Sequence, residues 1–393
     1  MDRHAQGGAL HVLVVPSFYP TRQRPYNGTF FRDWAQALRR AGVRTGVAHV
    51  EARGLRGLSA AALRESRFQL TAGIEDGLPT VRLRGWNTLA QWTPGGLVWA
   101  RLMQPAIGDY ISRYGRPDLV AAQSATWAGR AAWLAKKTWG LPYVITEVNT
   151  GFGTGRIRGF EAWVSRRAFG GADGVVAISQ NLRSRLLELS SPRRVEVIPC
   201  TVDETYWTPA PGTRSRTPFT FYAQAHLSRR KGFDILIRAF ARKFRGHPDV
   251  GLVIGGGGPI QRELEALADA RGVRPQVRFL GSIPRDAVRE AMRAANCFVL
   301  PSVAENFGVV LIEALSTGLP VIATSCGGPE DFVDERVGIL LRPGDEDGLA
   351  DALATMHDAG EFDPEALRSF AIQRFGYAAV GSCLRDFYRE VLR

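Results

Sequence analysis

Short runs of β-branched and other apolar residues alternate with amphipathic stretches along this chain. Residues 10–15 form the first such run, and residues 29–40 then place Phe30 and Trp34 on one face of a helical pattern. Buried parallel strands typically read as continuous apolar runs, with helices covering both faces of the sheet. The alternation therefore predicts an α/β fold built from doubly wound parallel sheets.

The chain is long enough for two such sheets, because 393 residues exceed what one hydrophobic core usually serves. Residues 200–218 are rich in Pro and Thr and follow neither a helical nor a strand period, so we expect the domain boundary there. Residues 51–79 and 85–96 mix Gly, Pro, Arg and Trp and are predicted to be irregular. The predicted strands are residues 10–15, 45–50, 80–84, 119–123, 143–147, 174–179 and 195–199 before the boundary, and 219–225, 251–255, 277–281, 297–301, 320–324 and 338–341 after it.

Composition disfavours several classes of protein. No apolar run approaches the roughly 18 residues of a transmembrane helix, and residues 10–15 are too short for a signal-peptide core. The four cysteines, Cys200, Cys297, Cys326 and Cys383, show no CxxC motif and no metal-ligand spacing. We therefore predict a cytoplasmic protein in a reducing compartment, without a metal site.

The formal net charge of +12 is concentrated in the first half of the chain. Residues 1–200 carry 27 Lys and Arg against 13 Asp and Glu, whereas the remaining residues carry 23 against 25. This asymmetry indicates either an anionic partner or simple solubility in an arginine-rich composition. Among anionic partners, a membrane surface or a phosphorylated acceptor fits better than nucleic acid, because no nucleic-acid-binding motif is present.

Two carboxylates, Glu305 and Glu313, bracket a predicted junction between a loop and a helix. Residues 297–300 read as a buried strand, and residues 307–316 read as the helix that follows the loop. Eight residues at a rise of about 1.5 Å would separate the carboxylates by roughly 12 Å, which suits a nucleotide diphosphate sugar along the helix. The alternative is an ordinary amphipathic helix with two surface glutamates.

Glycine-bearing loops follow several of the predicted strands, which is where ligands bind in open parallel sheets. Glycine lets the backbone approach a phosphate closely, and cations neutralise it, so these loops favour a phosphate-bearing ligand. They do not form a GxGxxG motif with an acidic residue after a second strand, which disfavours a nicotinamide dinucleotide. The loops are Asn27-Gly28, the basic run from His226 through Arg229, Arg230 and Lys231 to Gly232, the four glycines from Gly255 to Gly258, and Gly327-Gly328.

Taken together, these motifs resemble glycosyltransferase family 4, whose members are retaining nucleotide-sugar enzymes of the GT-B fold. The resemblance covers nearly the whole chain and is strongest from Phe219 to Val333. The motifs that appear in the family's order are HLSRRKGFD from His226, GGGGP ending at Pro259, FLGS from Phe279, PS from Pro301, ENFG from Glu305, EA from Glu313 and GG from Gly327.

The resemblance implies two Rossmann-like domains that face a cleft. Residues 1–204 would form the acceptor-side domain, residues 205–374 the nucleotide-sugar-binding domain, and residues 375–393 a helix that crosses back to the first. Glu305, binding the transferred sugar, and Lys231, neutralising the departing diphosphate, would be the catalytic residues. The other implied substrate-binding residues are Glu313 for the ribose, with Asn27, Gly28, Gln123, His226, Arg230, Gly257, Gly281, Ser282, Ile283, Phe307, Gly308 and Val309.

The implied function is transfer of a sugar from a UDP or GDP sugar to a hydroxyl acceptor, with retention and without a metal or cofactor. Surface polysaccharide, glycolipid or a related glycoside would be the product, and the expected partners are a sugar or lipid-linked acceptor and an anionic membrane contacted from the cytoplasmic side. His226 stands where the family commonly has arginine, and Gln123 and Val148 stand where many members have histidine. These differences motivate an alternative, a non-catalytic relative that binds a nucleotide sugar or a partner; phosphorolysis or epimerisation of the donor ranks below both.

Overall fold

The computed structural model of the protein describes residues 9–24, 27–54, 59, 64, 66–87, 95–212, 215–360 and 362–393. The chain forms two compact units, one of Met1–Thr201 with Tyr377–Arg393 and the other of Val202–Gly376. The divisions fall at residues 201 and 376, against 204 and 374 in the sequence-based expectation. No helix of the described residues is both long and apolar enough to cross a membrane.

The first unit contains an eight-stranded sheet in the order β3-β4-β2-β1-β5-β6-β7-β8. Its strands pair in parallel except for β3 and β4, which are antiparallel at one edge. Its strands are β1 (His11–Pro16), β2 (Arg44–Arg53), β3 (Gln69–Glu75), β4 (Leu78–Trp86), β5 (Leu119–Gln123), β6 (Tyr143–Glu147), β7 (Gly174–Ala177) and β8 (Val195–Val197). Its helices before the second unit are α1 (Thr29–Arg40), α2 (Gly95–Tyr114), α3 (Arg130–Trp139), α4 (Thr150–Gly153), α5 (Gly159–Gly171) and α6 (Gln180–Leu189).

The second unit contains a six-stranded, wholly parallel sheet in the order β11-β10-β9-β12-β13-β14. The chain moves outward from β9 in one direction and returns to add β12 on the other side, so the strand order reverses between these two strands. Such a switch point is the usual ligand crevice of a doubly wound sheet. The elements are β9 (Phe219–Gln224), α7 (Phe233–Phe244), β10 (Val250–Gly255), α8 (Gln261–Ala270), β11 (Val277–Gly281), α9 (Arg285–Ala294), β12 (Cys297–Leu300), α10 (Val309–Ser316), β13 (Val321–Thr324), β14 (Gly338–Leu341), α11 (Glu346–Asp358) and α12 (Pro364–Phe375).

The last helix, α13 (Tyr377–Val391), belongs to the first unit and packs on α1. The contact is close, because a Cβ atom on Gly381 would lie 2.1 Å from the carbonyl oxygen of Ala37. On its inner face α13 contributes Val380, Leu384, Phe387 and Tyr388 to the core that also contains strand residues of β1, β6 and β7. The core of the first unit is therefore assembled from two segments that are far apart in the sequence.

The predicted doubly wound α/β architecture is confirmed, and each strand predicted from an apolar run is present with small shifts of its ends. The prediction of irregular structure was wrong for residues 69–75, which form β3. It was also wrong for residues 51–53 of β2, residues 78–79 and 85–86 of β4, and residues 95–96 at the start of α2. Strand β3 is exposed along most of its length, so it lacks the apolar run that marks a buried strand. Residues 55–58, 60–63, 65 and 88–94 of the regions predicted to be irregular lie outside the described residues.

Candidate functional site

Lys231 and Glu305 lie in the two loops that flank the switch point of the second sheet. Lys231 ends a short 3-10 turn, Arg229–Lys231, in the loop after β9, and Glu305 lies in the loop after β12. The Lys231 ammonium donates a hydrogen bond to Glu305 Oε1 and forms an ion pair with it. Since the side chains are only 15% and 9% exposed, this is a largely buried pair. The structure thus brings together the two predicted catalytic residues, which are 74 positions apart in sequence.

Only one oxygen of the Glu305 carboxylate is engaged by the rest of the described chain. The hydroxyl of Ser302 donates to Oε1 at 2.9 Å, alongside the Lys231 ammonium. The backbone N–H of Glu305 donates to the carbonyl of Cys326 at 3.1 Å, which fixes the loop against the one after β13. No described residue donates to Oε2, so this oxygen can accept a hydrogen bond from a ligand hydroxyl.

Gly232 holds the two loops against each other. It adopts a left-handed conformation with φ 67°, and a Cβ atom on it would lie 2.0 Å from the carbonyl oxygen of Pro301. A second link joins the loops, because the N–H of Val303 donates to the carbonyl of Arg230 at 2.8 Å. The position of Lys231 relative to Glu305 is therefore set by the backbone as well as by the ion pair.

Helix α10 begins beside Glu305, two residues later than predicted. Gly308 is its N-cap with φ 89°, so Phe307 and Gly308 precede the helix and Val309 is its first residue. The first N–H groups of a helix have no acceptor within it, and they form an anion site together with the helix dipole. The side chain of Phe307 is buried and packs on Phe332 at a ring-centroid distance of 5.1 Å, so its backbone alone is available to a ligand.

Glu313 lies one helical turn further along α10 and is partly buried. Its carboxylate lies near the phenol of Tyr222, whose pKa is raised chiefly by burial and further by Glu313. The Tyr222 hydroxyl donates to Gln224 Oε1 at 2.7 Å, at the end of β9. Glu313 therefore lies near the carboxyl end of β9, the strand that ends at Gln224.

The glycine-rich loop after β10 touches both neighbouring loops of this sheet edge. Its Gly256 N–H donates to the carbonyl of Gly281 at 2.8 Å, and its Gly257 carbonyl accepts from the N–H of Leu227 at 3.0 Å. A Cβ atom on Gly257 would lie 2.5 Å from the rotatable Ser282 Oγ, whereas one on Gly258 would lie 2.2 Å from the carbonyl oxygen of Leu227, so the backbone approach requires glycine at Gly258. The structure thus places Gly257, Gly281 and the exposed Ser282 together, with the partly buried Ile283 following them.

The remaining basic residues of the loop after β9 differ in their burial and in whether they form an ion pair. Arg229 pairs with Glu263 at 2.8 Å on the surface, and His226 is exposed. Arg230 is partly buried, and its buried Nη1 has no hydrogen-bond partner among the described residues. Unlike Arg229, Arg230 therefore forms no ion pair with a described residue.

In the first unit, Gly28 lies at the end of the loop after β1, and Gln123 is the last residue of strand β5. Gly28 is the N-cap of α1 with φ 76°, and a Cβ atom on it would lie 2.5 Å from the carbonyl oxygen of Phe18. Asn27 beside it is exposed. Gln123 is buried, with its Nε2 donating to the carbonyl of Phe31 at 3.3 Å and its Oε1 left without a partner in the described structure. Strands β1 and β5 flank the switch point of this sheet, which is where a ligand crevice is expected.

Glu147 is not among the predicted site residues, although its carboxylate anchors the loops at this edge of the first sheet. Its fully buried carboxylate accepts N–H groups from Ala125 at 2.8 Å, Val148 at 2.9 Å and Asn149 at 2.8 Å. Burial raises the pKa of this carboxyl to about 6, although the hydrogen bonds oppose the shift. It also fixes the start of a π-helical turn, Ala125–Gly129, behind Ser124, which has φ 78°. The only sequence feature that could have indicated this role is that an acidic residue ends an apolar strand.

A cavity of about 770 Å³ opens at the same edge of the first sheet. It is lined by aromatic and polar groups that include Phe18, His49, Trp99 and Trp127. His49 is buried, and burial with the nearby Arg82 guanidinium lowers its pKa to about 3, so the imidazole is neutral at physiological pH. Part of the lining is the end of β2, within a region that was predicted to be irregular. Among the described residues, no group of three or more His, Cys, Asp or Glu side chains could hold a metal ion.

Two family models match the chain, one to each unit. The glycosyl transferase 4-like domain matches residues 27–201, and the model of glycosyl transferases group 1 matches residues 209–369. Alpha-maltose-1-phosphate synthase of Mycolicibacterium smegmatis is 30% identical over 308 residues, which cover 68% of this chain and 78% of that protein. The gpi3 subunit of phosphatidylinositol N-acetylglucosaminyltransferase of Schizosaccharomyces pombe is 35% identical over 184 residues, covering 46% of this chain but 40% of the subunit's length.

Solved structures show the same fold over almost the whole chain. Sucrose-phosphate synthase from Thermosynechococcus elongatus superposes with a TM-score of 0.75 at 20% identity, covering 97% of this chain and 99% of that one. Anabaena HepE in complex with UDP superposes with a TM-score of 0.72 at 21% identity, covering 97% of this chain and 100% of that one. With both family models matched and the GT-B fold shown, the chain belongs to the family 4 glycosyltransferases.

Proposed function

We propose that this glycosyltransferase moves a sugar from a nucleotide diphosphate sugar to a hydroxyl acceptor with retention of anomeric configuration. The observation that carries the proposal is the buried Lys231–Glu305 pair at the switch point of the second sheet, next to the N-terminus of α10. This arrangement offers a cation and helix N–H groups for a diphosphate, with a carboxylate oxygen for a sugar hydroxyl a few ångströms away.

Each group would have a distinct part in the reaction. The bond between the anomeric carbon and the diphosphate oxygen breaks, and Lys231 with the first N–H groups of α10 would stabilise the charge that develops on that oxygen. Glu305 would hold the sugar through Oε2, because Oε1 already accepts from Lys231 and Ser302. Glu313, further along the same helix, would accept hydrogen bonds from the ribose hydroxyls.

Retention would follow from attack on the face of the sugar from which the diphosphate leaves. The acceptor hydroxyl forms the new bond to the anomeric carbon, and its proton passes to the departing phosphate oxygen. Because Lys231 and the α10 N-terminus supply the positive charge at this oxygen, the proposal assigns the stabilisation of the leaving group to the protein and not to a divalent ion.

We propose that the acceptor enters at the switch-point edge of the first unit, where Gly28, Gln123 and the 770 Å³ cavity lie. A sugar or a lipid-linked hydroxyl fits the mixed aromatic and polar lining of this cavity. A working location at the cytoplasmic face of a membrane, in the synthesis of a surface polysaccharide or glycolipid, is supported by the excess of cations among residues 1–200.

Isothermal titration with nucleoside diphosphates is the first test, and UDP is the first ligand to try because the structure of Anabaena HepE holds UDP. We expect Lys231→Ala to weaken diphosphate binding at least about tenfold, since a charge-assisted contact to phosphate is lost. Arg229→Ala is the matched control, because it removes a cation of the same loop that already pairs with Glu263. Wild-type protein that binds none of UDP, GDP and ADP would overturn the proposal.

Turnover and stereochemistry need a second measurement. Donors that release a diphosphate should be hydrolysed or transferred by the wild type but not by Glu305→Ala, and the anomeric configuration of the product can be read by NMR. Transfer that persists in EDTA is expected, whereas a requirement for Mg²⁺ would remove the assignment of leaving-group stabilisation to Lys231. Binding of donor without any turnover would support the non-catalytic alternative.

A further inference from the structure

Helices α2, α3 and α5 of the first unit carry a surface on which aromatic rings and unpaired cations are mixed. We call it the aromatic–basic patch and define it by Arg101, Arg130, Trp133, Phe160, Trp163 and Arg167. Helix α3 packs against both α2 and α5, so the patch is continuous across the three helices.

The apolar part of the patch is a ridge formed by Phe160 and Trp163 of α5. Their side chains are 43% and 48% exposed, and they stack on each other with ring centroids 5.6 Å apart and planes tilted by 25°. Exposed aromatic residues that adjoin each other form a contiguous apolar surface, and such surfaces often mark interaction sites. Because the rings stack on each other, they form one apolar body and not two separate platforms for nucleic-acid bases.

No described residue neutralises the arginines of the patch. Arg101, Arg130 and Arg167 form no ion pair with any described residue, and α3 has no acidic residue in its sequence. Burial lowers the pKa of Arg130, and the neighbouring charges of Arg167 and Arg101 lower it further, so Arg130 is repelled by both. Arg130 and Arg167 instead lie over aromatic rings, 4.0 Å from the centroid of Trp133 and 5.0 Å from that of Trp163.

The patch is near the edge of the first sheet at which the acceptor is proposed to enter. Helix α3 follows β5 through the π-helical turn, so Arg130 begins a helix just beyond the carboxyl end of that strand. Helix α5 packs against the same π-helical turn. Gly28, Gln123 and the cavity lie at the same edge. A partner bound to the patch would therefore lie close to the acceptor entrance.

We propose that the aromatic–basic patch docks the first unit on an anionic lipid surface, with Phe160 and Trp163 entering the interface and the three arginines meeting lipid phosphates. Aromatic rings settle at the boundary between headgroups and acyl chains, and basic residues near an anionic leaflet add attraction that salt screens. The inference deepens the proposed function, since a membrane-docked enzyme would meet a lipid-linked hydroxyl at this edge. Only this supply of a lipid-linked hydroxyl rests on the proposed function; the docking itself does not.

The test is flotation of the full chain with vesicles of phosphatidylcholine, with and without phosphatidylglycerol, in the absence of donor and acceptor. Vesicle binding and sugar transfer are thus measured separately, and failure of one is distinguishable from failure of the other. We expect the wild type to float with the anionic vesicles and to be released by salt. Arg101→Gln with Arg167→Gln should weaken partitioning roughly tenfold or more, and Phe160→Ser with Trp163→Ser should do so by a similar factor.

Two double variants of the same unit are matched controls. Arg113→Gln with Arg185→Gln removes two exposed arginines that pair with Asp109 and Glu188, and Leu70→Ser with Ile74→Ser removes two exposed apolar side chains of the edge strand β3. Both should keep most of the wild-type binding. Equal binding to neutral and anionic vesicles, or equal losses in the controls, would overturn the proposal. The proposal would also be overturned if the patch variants still floated with anionic vesicles but lost binding to a single-stranded oligonucleotide. A change of oligomeric state in variants that still float would overturn it in the same way.

Discussion

The Lys231 ammonium and the Glu305 carboxylate form an ion pair that joins the loop after β9 to the loop after β12. Each partner is largely buried, so each is the main compensation for the other's charge. The pair therefore contributes to the stability of the second unit as well as to the proposed donor site.

A double-mutant cycle on this pair should show strong coupling. Lys231→Met and Glu305→Gln should each lower the free energy of unfolding by about 2–4 kcal/mol, because each leaves a buried polar partner uncompensated. The double variant should lose at least about 1 kcal/mol less than the sum of the two. Urea denaturation measures all four proteins. The exposed pair Arg185–Glu188 is the control, with an expected coupling of at most about 0.5 kcal/mol, and similar coupling in both cycles would contradict the prediction.

Gly232→Ala should disturb the donor site through the backbone. The substitution places a Cβ atom against the Pro301 carbonyl and also forces a left-handed conformation on alanine, so we expect at least a tenfold loss of diphosphate affinity. Gly246→Ala separates the two effects, because Gly246 has φ 83° but no atom within 4 Å of its Cβ position. The control should lose about 1 kcal/mol of stability and keep its affinity for diphosphate. Equal affinities for the two variants, measured by calorimetry, would refute the role given to Gly232.

The buried carboxyl of Glu147 should make the protein less stable as pH rises through the weakly acidic range. Its pKa is raised to about 6 in the folded state from an ordinary value of 4.5, so its contribution is fully present below pH 4.5 and is lost as pH rises through 6. The loss amounts to about 2 kcal/mol. Comparing unfolding of the wild type and Glu147→Gln between pH 4 and 7 isolates this carboxyl, and a difference that does not change with pH would be inconsistent with it.

His49 should have the opposite dependence on pH. Its pKa is lowered to about 3 from an ordinary value of 6.5, so its contribution is present above pH 6.5 and is lost progressively as pH falls towards 3. We expect the wild type to lose stability relative to His49→Phe by several kcal/mol across that interval, as the unfolded imidazole takes up a proton that the folded one resists. Chemical denaturation at closely spaced pH values would measure it, and parallel curves for the two proteins would contradict it.

Much of the fold could be predicted from sequence because buried parallel strands leave apolar runs, and turns at the ends of strands leave glycines. The strands from β9 to β14 were all predicted in this way. Strand β3 could not be, because its residues are exposed and carry no pattern that burial would impose. The start of α10 was placed two residues early, since the sequence does not reveal that Gly308 has a positive φ and ends the loop.

The site could be predicted only as far as residue types and order allow. The family resemblance predicted Lys231 and Glu305 as catalytic residues, but their direct contact depends on the strand order, which brings β9 and β12 side by side. Glu147 was missed because one carboxylate at a strand end is ambiguous until its three backbone donors are seen. The orientation of Gln123 towards the carbonyl of Phe31 likewise depends on packing between a strand and a helix that are remote in sequence.

The return of α13 to the first unit has a consequence for biosynthesis. Residues of this helix complete a core whose other buried members lie between Leu10 and Ile198, so these leave the ribosome before the whole of the second unit. The second unit is one continuous segment, so it can fold as soon as it leaves the ribosome. The first unit keeps part of its apolar surface uncovered until α13 has been synthesised. The unit that is translated first is therefore the last to finish folding. A stop codon just before Tyr377 would leave the core of this first unit incomplete.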